Sequence, residues 1–111
     1  MLPLVYHDGY DLSIGRHVFP SRKYRLIRDK LARPTVAPEP ASDDDIRLVH
    51  TPAWTAALRD CTLREDELRR LEIPWSPATA RAFWLAAGGT ILATSLARKH
   101  GGAYNIGGGF H

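Results

Sequence analysis

The 111 residues carry a formal net charge of +3, and 44% of them are hydrophobic while 24% are charged, which is typical of a small globular domain and excludes a disordered chain. A single cysteine, Cys61, excludes an intrachain disulfide and fits a reducing cytoplasm, where we place the chain. The first eight residues are not typical of a basic and apolar leader, so we expect none here. The longest uncharged run, residues 82–97, is shorter than the about 20 residues that span a bilayer, so we predict no membrane partner.

The first predicted elements are a strand and a basic helix. Residues 3–6 form a short apolar run before a turn signal, which is typical of a strand. Pro20 favours the start of a helix, because its missing N–H costs nothing there. Tyr24, Ile27 and Leu31 then recur at helical spacing and predict a buried stripe.

The middle of the chain predicts one short strand and several capped helices. Three prolines exclude a helix over residues 34–40, although residues 35–37 can form a short edge or parallel strand. Ser42 is a predicted N-cap, with three aspartates following it in the first turn. Thr51, followed by proline, predicts a second helix start, and Thr62, with Glu65 three positions later, predicts a capping box.

The longest helix is predicted over residues 77–100, with Ser76 as its N-cap and Gly101 at its C-terminal end. Its apolar residues fall on two stripes: Ala80, Phe83, Ala87 and Ile91 on one, and Leu85, Leu92 and Leu96 on the other. A helix that is apolar on two sides must be covered on two sides. Gly88 and Gly89 each cost about 1 kcal/mol relative to alanine, which indicates that another backbone passes close to them.

A last strand is predicted over residues 103–106, where it should be buried, and three glycines follow its C-terminal end. The order of strand, helix, possible strand, helices and strand predicts an α/β fold with a parallel sheet and flanking helices. Ligands of such sheets bind beyond the carboxyl ends of the strands. The tail therefore has two interpretations: an active-site loop, in which Gly108, Gly109 and Phe110 contact the substrate and His111 transfers protons, or a flexible glycine-rich end.

The five histidines do not predict a metal site, because none is spaced from a second ligand as chelating pairs are; His7 and Asp8 are adjacent, and adjacent strand residues point to opposite faces. The basic residues of the first helix alternate with Asp29 and surround most of its exposed face. They favour a solvated helix, and a nucleic-acid-binding module is the weaker alternative.

Six segments, in this order and spacing, form a specific combination: Val-Tyr-His (5–7) followed by Tyr10, His-Val-Phe-Pro-Ser-Arg-Lys-Tyr (17–24), Leu-Val-His-Thr-Pro-Ala-Trp (48–54), Pro-Trp-Ser-Pro (74–77), Gly-Gly-Thr (88–90) and Asn-Ile-Gly-Gly-Gly-Phe-His (105–111). Together they resemble the N-terminal part of the histone deacetylase family, especially its class IV and bacterial members. Trp54 replaces the tyrosine that is usual in the family.

The resemblance implies an arginase-like three-layer fold in which a zinc-bound water attacks an acyl-lysine or acyl-amine amide. It matches His111 to the first histidine of the family's tandem pair, which assists catalysis without binding zinc. The second histidine, the Asp-x-His zinc pair, the third zinc ligand and the oxyanion tyrosine have no counterpart in residues 1–111.

We therefore expect residues 1–111 to be an incomplete deacetylase-like domain that acts on an acylated amine only as part of a longer enzyme. Zinc is the cofactor of the full-length family, and none is expected for this chain alone, which should not catalyse. The alternative is a stand-alone, non-catalytic module that self-associates, because missing neighbours would leave an unpaired strand edge and uncovered helix faces. We therefore predict that the chain forms a homo-oligomer.

Overall fold

The computed structural model describes residues 1–12, 14 and 20–108. Its regular elements, in chain order, are β1 (Leu4–Val5), a short 3-10 helix (Asp8–Tyr10), α1 (Lys23–Leu31), α2 (Asp43–Ile46), α3 (Pro52–Arg59), α4 (Glu65–Leu71), α5 (Pro77–His100) and β2 (Tyr104–Asn105). The predicted mixed α/β class and both predicted terminal strands are confirmed. None of the described helices, including the 24-residue α5, combines the length and the apolar character that a membrane span requires.

The sheet is parallel and β1 lies at its centre. On one side Leu4 is opposite Tyr104 in β2, and on the other side Val5 forms a parallel bridge with Val36. The Val36 N–H donates to the Leu4 carbonyl (2.8 Å), and its carbonyl accepts from the Tyr6 N–H (3.0 Å). The predicted parallel sheet is thus confirmed. Of the short strand predicted over residues 35–37, the structure forms only a single bridging residue, Val36.

The core lies where α5 packs against β1, β2 and the 3-10 helix. Its buried members are Leu4, Tyr6, Tyr10, Tyr24, Leu85 and Ile106. The Tyr10 ring lies edge-on to the rings of Tyr6 (centroids 5.8 Å apart) and Tyr24 (6.2 Å). Such aromatic pairs each add about 1 kcal/mol beyond their area burial. The Tyr10 ring therefore joins the 3-10 helix to α1 and to the residue that follows β1.

Most helix ends lie where local chemistry predicts them. The side chains of Ser42, Thr51 and Ser76 accept hydrogen bonds from backbone N–H groups three residues later, at 3.0, 3.1 and 3.2 Å. Gly101 ends α5 with φ of 85°, a left-handed conformation that glycine adopts without strain. These four ends confirm the predicted caps.

The predicted start of α4 is wrong. This helix begins after Arg64, whose backbone N–H donates to the Glu67 carboxylate at 2.9 Å. Thr62 cannot cap it, because the Thr62 N–H donates to the Ala57 carbonyl (2.9 Å) and, with Cys61 at φ of 57°, closes the C-terminus of α3.

Three predicted buried residues are largely exposed: Leu31 (42%), Ile91 (46%) and Tyr104 (50%). Leu31 is the last residue of α1, whose buried contact comes from Tyr24 in its first turn. Tyr104 pairs with β1 on one side only, so β2 is an edge of the sheet in the described residues, and burial returns only at Ile106 (3%).

Candidate functional site at the carboxyl ends of the strands

The residues that follow β1 and β2 meet at the edge of the sheet where parallel α/β folds bind ligands. The 3-10 helix follows β1, and the start of the glycine loop, residues 106–108, follows β2. The middle of α5 lies behind both segments. One side chain, that of Asn105 at the end of β2, joins all three.

The Asn105 amide uses both of its polar atoms. Its Oδ1 accepts the Tyr10 hydroxyl (2.8 Å) and the Gly107 N–H (3.2 Å). Its Nδ2 donates to three oxygens on α5 and the loop: the Ala86 carbonyl (3.3 Å), the Thr90 hydroxyl (3.3 Å) and the Gly108 carbonyl (3.4 Å). Burial raises the pKa of the Tyr10 phenol, so this hydroxyl remains a donor at neutral pH.

The two glycines of α5 make room for two different neighbours. A Cβ on Gly88 would lie 1.9 Å from the Glu39 carbonyl oxygen, so the predicted close passage of another backbone is confirmed there. A Cβ on Gly89 would lie 2.0 Å from the Tyr10 hydroxyl and 2.8 Å from the Asn105 Nδ2, which are side-chain atoms. Gly89 therefore accommodates the hydrogen-bonded pair of the candidate site.

A polar cleft of about 470 Å³ lies beside the 3-10 helix. Arg22, Arg25 and Arg28 of the α1 region line one side of it, and the Arg28 guanidinium lies 4.8 Å from the centre of the Tyr6 ring. The Tyr6 hydroxyl donates to Asp8 (3.0 Å). Burial, together with this hydrogen bond and the charge of Asp8, raises the pKa of Tyr6 to about 12, so this phenol is not a proton carrier at neutral pH.

An apolar cleft of about 530 Å³ lies on the other side of the site and reaches Gly108. Its main walls are Ile46, Val49, Trp75, Phe83, Trp84 and Ile91. Both indoles are fixed by hydrogen bonds: Trp75 donates to the Leu58 carbonyl (2.9 Å) and Trp84 to Asp43 (3.0 Å). The cleft gives Ile91 a partly open environment, which explains why its predicted burial is wrong.

Of the predicted substrate contacts, only Gly108 is among the described residues. It is exposed, with φ of 60°, and its carbonyl accepts from Asn105. Gly109, Phe110 and His111 lie outside the described residues, so their contacts and the proton-transfer role of His111 stay predictions. The sequence analysis did not predict the hydrogen bonds that join Tyr10, Asn105 and Thr90. The signal for them was Gly89, whose missing side chain leaves room for the Tyr10 hydroxyl and the Asn105 amide.

Two of the described histidines have structural positions, and the third, His50, lines the apolar cleft. The Nδ1 of His7 accepts the Gly9 N–H (2.8 Å) and caps the 3-10 helix, while Asp8 is engaged by Tyr6. His100 lies in the last turn of α5. In the part of the chain that the structure describes, no three His, Cys, Asp or Glu side chains lie together as metal ligands would. These residues do not fit a zinc site.

No family model matches this sequence. It is 37% identical over 117 residues to an uncharacterized protein of the cyanobacterium Picosynechococcus sp., covering 98% of the chain and 39% of that protein. It is 30% identical over 125 residues to histone deacetylase 2 of Arabidopsis thaliana, covering 97% of the chain and 32% of that protein. The chain thus spans about a third to two-fifths of the length of these relatives. The distant similarity to the plant protein supports a deacetylase-related origin.

Proposed function

We propose that this chain is a segment of a zinc-dependent deacetylase that hydrolyses acyl-lysine or acyl-amine amides, and that it is inactive on its own. The observation that carries the proposal is the similarity to a histone deacetylase along 97% of the chain. The position of the glycine loop supports it, because Asn105 and Gly108 lie at the carboxyl ends of parallel strands, where such folds bind their ligands.

The fold that we propose for the whole enzyme is the arginase-like three-layer arrangement, of which residues 1–111 form an incomplete domain. The open edge of β2 supports this proposal, because a sheet edge is stabilised by a further strand. The apolar cleft supports it too. Val49 (80% exposed) lines the cleft and Leu48 (82% exposed) is next to it in the chain, and exposed apolar residues of this kind are usually covered by another element.

The proposed roles follow from the order of the loop residues. The backbone of Gly108 and Gly109 can approach a substrate closely, Phe110 contacts its apolar part, and His111 transfers a proton near neutral pH. Zinc ligands would come from other parts of the polypeptide, because the described residues do not offer a cluster of them. The proposal places the enzyme in the cytoplasm.

The test compares this chain with the longest polypeptide that its reading frame encodes. Both are purified, their zinc content is measured, and hydrolysis of an acetyl-lysine peptide is followed with and without a chelator. We expect about one zinc per longer polypeptide and chelator-sensitive hydrolysis, and neither for residues 1–111. In the longer form His111→Ala should lower kcat by about 100-fold, the usual contribution of a general acid or base. Zinc-dependent turnover by residues 1–111 alone would contradict the proposal.

The second candidate is a non-catalytic module that self-associates through its apolar face. It is favoured by the exposure of Leu48 and Val49 next to the apolar cleft. Sedimentation velocity over a range of concentrations should then show dimers or larger species. Val49→Glu should dissociate them, whereas Leu26→Glu, at a site 56% exposed on α1, should not. A strictly monomeric, stably folded chain would exclude this candidate.

A further inference from the structure

We infer that Asn105 is a positioning residue, whose amide fixes the direction in which the backbone leaves β2 through Gly107 and Gly108 toward the proposed catalytic loop. The catalytic meaning of this role rests on the proposed function. The hydrogen bonds themselves belong to the described residues and can be tested without any activity.

The first argument is the reach of the amide. An asparagine that only shaped its own turn would need the bond from its Oδ1 to the Gly107 N–H (3.2 Å) and no more. Here the same oxygen also holds the Tyr10 hydroxyl (2.8 Å), 95 residues away in the chain. The nitrogen binds oxygens on α5 at the Ala86 carbonyl and the Thr90 hydroxyl. The amide therefore clamps the loop to two other elements.

The second argument is the space that surrounds the clamp. A Cβ on Gly107 would lie 2.6 Å from the Tyr10 ring, and one on Gly89 would lie 2.0 Å from its hydroxyl. The chain thus has glycine on both sides of the Tyr10–Asn105 pair, although a glycine inside a helix costs about 1 kcal/mol. Gly89 is needed because this pair occupies the volume that a side chain would fill.

The third argument is chemical. Asn105 needs an acceptor toward Tyr10 and a donor toward the Ala86 carbonyl, and a primary amide supplies both at every pH. An ionised aspartate keeps the acceptor and loses the donor, and it would place a charge next to carbonyl oxygens. The bonds to the Ala86 and Gly108 carbonyls would then be lost together, whereas the Thr90 hydroxyl, which donates to the Ala86 carbonyl, can donate to the carboxylate instead.

The experiment measures amide hydrogen exchange by NMR in this chain and in Asn105→Ala. We expect Gly107 to exchange at least about fivefold faster in the variant, the factor that corresponds to one net hydrogen bond. Gly108, whose N–H donates to the Asn105 carbonyl, should also exchange faster, because its turn loses the clamp. Ile106 donates to the Val5 carbonyl inside the sheet (2.9 Å) and should not change.

A matched pair of variants separates the clamp from general helix effects. Thr90→Val removes an acceptor of Asn105, and Thr94→Val removes the hydroxyl one turn later. Each hydroxyl donates to the carbonyl four residues before it, and the Asn105 amide contacts the hydroxyl of Thr90. We expect faster exchange at Gly107 in the first variant and no change in the second. Tyr10→Phe, which removes only one hydroxyl, provides the same test if Asn105→Ala does not fold.

In a polypeptide that hydrolyses acyl-amides, Thr90→Val should lower kcat and leave KM unchanged, because neither Thr90 nor Asn105 is proposed to touch the substrate. Unchanged exchange at Gly107 in the Asn105 variant, or equal acceleration at Ile106, would overturn the inference. Faster exchange at Gly107 in both Asn105→Ala and Thr90→Val, with Ile106 and the Thr94→Val variant unchanged, supports the clamp. If no polypeptide containing the chain hydrolyses an acyl-amide, it is the proposed function that fails.

Discussion

Substitution of Gly88 in the middle of α5 tests the close contact between this helix and the backbone of residues 39–41. In Gly88→Ala the new Cβ would lie 1.9 Å from the Glu39 carbonyl oxygen and 2.9 Å from the Ala41 nitrogen, both backbone atoms that cannot rotate away. Relief requires residues 39–41 to move off the helix. That movement breaks the bond from the Ala41 N–H to the Trp84 carbonyl (2.9 Å).

The magnitude follows from three contributions to the free energy of unfolding. Overpacking of a tight contact costs about 1–3 kcal/mol, and the lost Ala41 hydrogen bond costs about 1 kcal/mol. Alanine gains about 1 kcal/mol over glycine in a helix. We therefore expect Gly88→Ala to destabilise the chain by about 1–3 kcal/mol.

Urea unfolding followed by circular dichroism measures this effect, with Ser95→Ala on the exposed side of α5 as the control. Because Ser95 is exposed, the control should be stabilised by about 0.5 kcal/mol through helix propensity. If Gly88→Ala were as stable as the wild type or more so, the backbone contact at Glu39 would not exist as described, and the reason given for this glycine would be wrong.

Three further predictions concern local chemistry. Ser76→Ala removes the acceptor of the Thr79 N–H (3.2 Å) at the start of α5 and should lower the unfolding free energy by about 1 kcal/mol, measured by urea titration. Thr55 is fully buried, and its hydroxyl has no hydrogen-bond partner among the described residues. Thr55→Val should therefore leave the free energy of unfolding unchanged or raise it by about 1 kcal/mol. A decrease of more than about 1 kcal/mol would show that the hydroxyl has a partner. Two hydrogen bonds, the larger effect from Arg59 and the smaller from Trp84, lower the pKa of Asp43 below its ordinary value of 3.8. The stability that this carboxylate contributes is therefore present above pH 3.8 and is lost as the pH falls through the lowered pKa. The free energy of unfolding should be measured between pH 2 and pH 6, about two pH units to either side of that ordinary value, and it should change less with pH in Arg59→Leu than in the wild type. An identical pH dependence in the two proteins would contradict the assigned pair of Arg59 and Asp43.

The candidate site could be predicted only in outline. The strand before the glycine loop and the close approach at Gly88 follow from residue types whose constraints are local, namely apolar runs, turn residues and missing side chains. The hydrogen bond between Tyr10 and Asn105 joins residues 95 positions apart, and no periodic pattern in the sequence predicts it. The apolar cleft likewise unites Ile46, Trp75 and Ile91 from separate segments.

The same division holds for the fold. The helix ends at Ser42, Thr51, Ser76 and Gly101 follow from local sequence, because a cap is a contact between a side chain or a left-handed residue and backbone groups a few positions away. Three other features depend on the packing of distant segments: Tyr104 is half exposed, α4 begins after Arg64, and one amide clamps the loop. Burial and long-range hydrogen bonds depend on which segments meet in space, and a local pattern records that a face is apolar without recording what covers it.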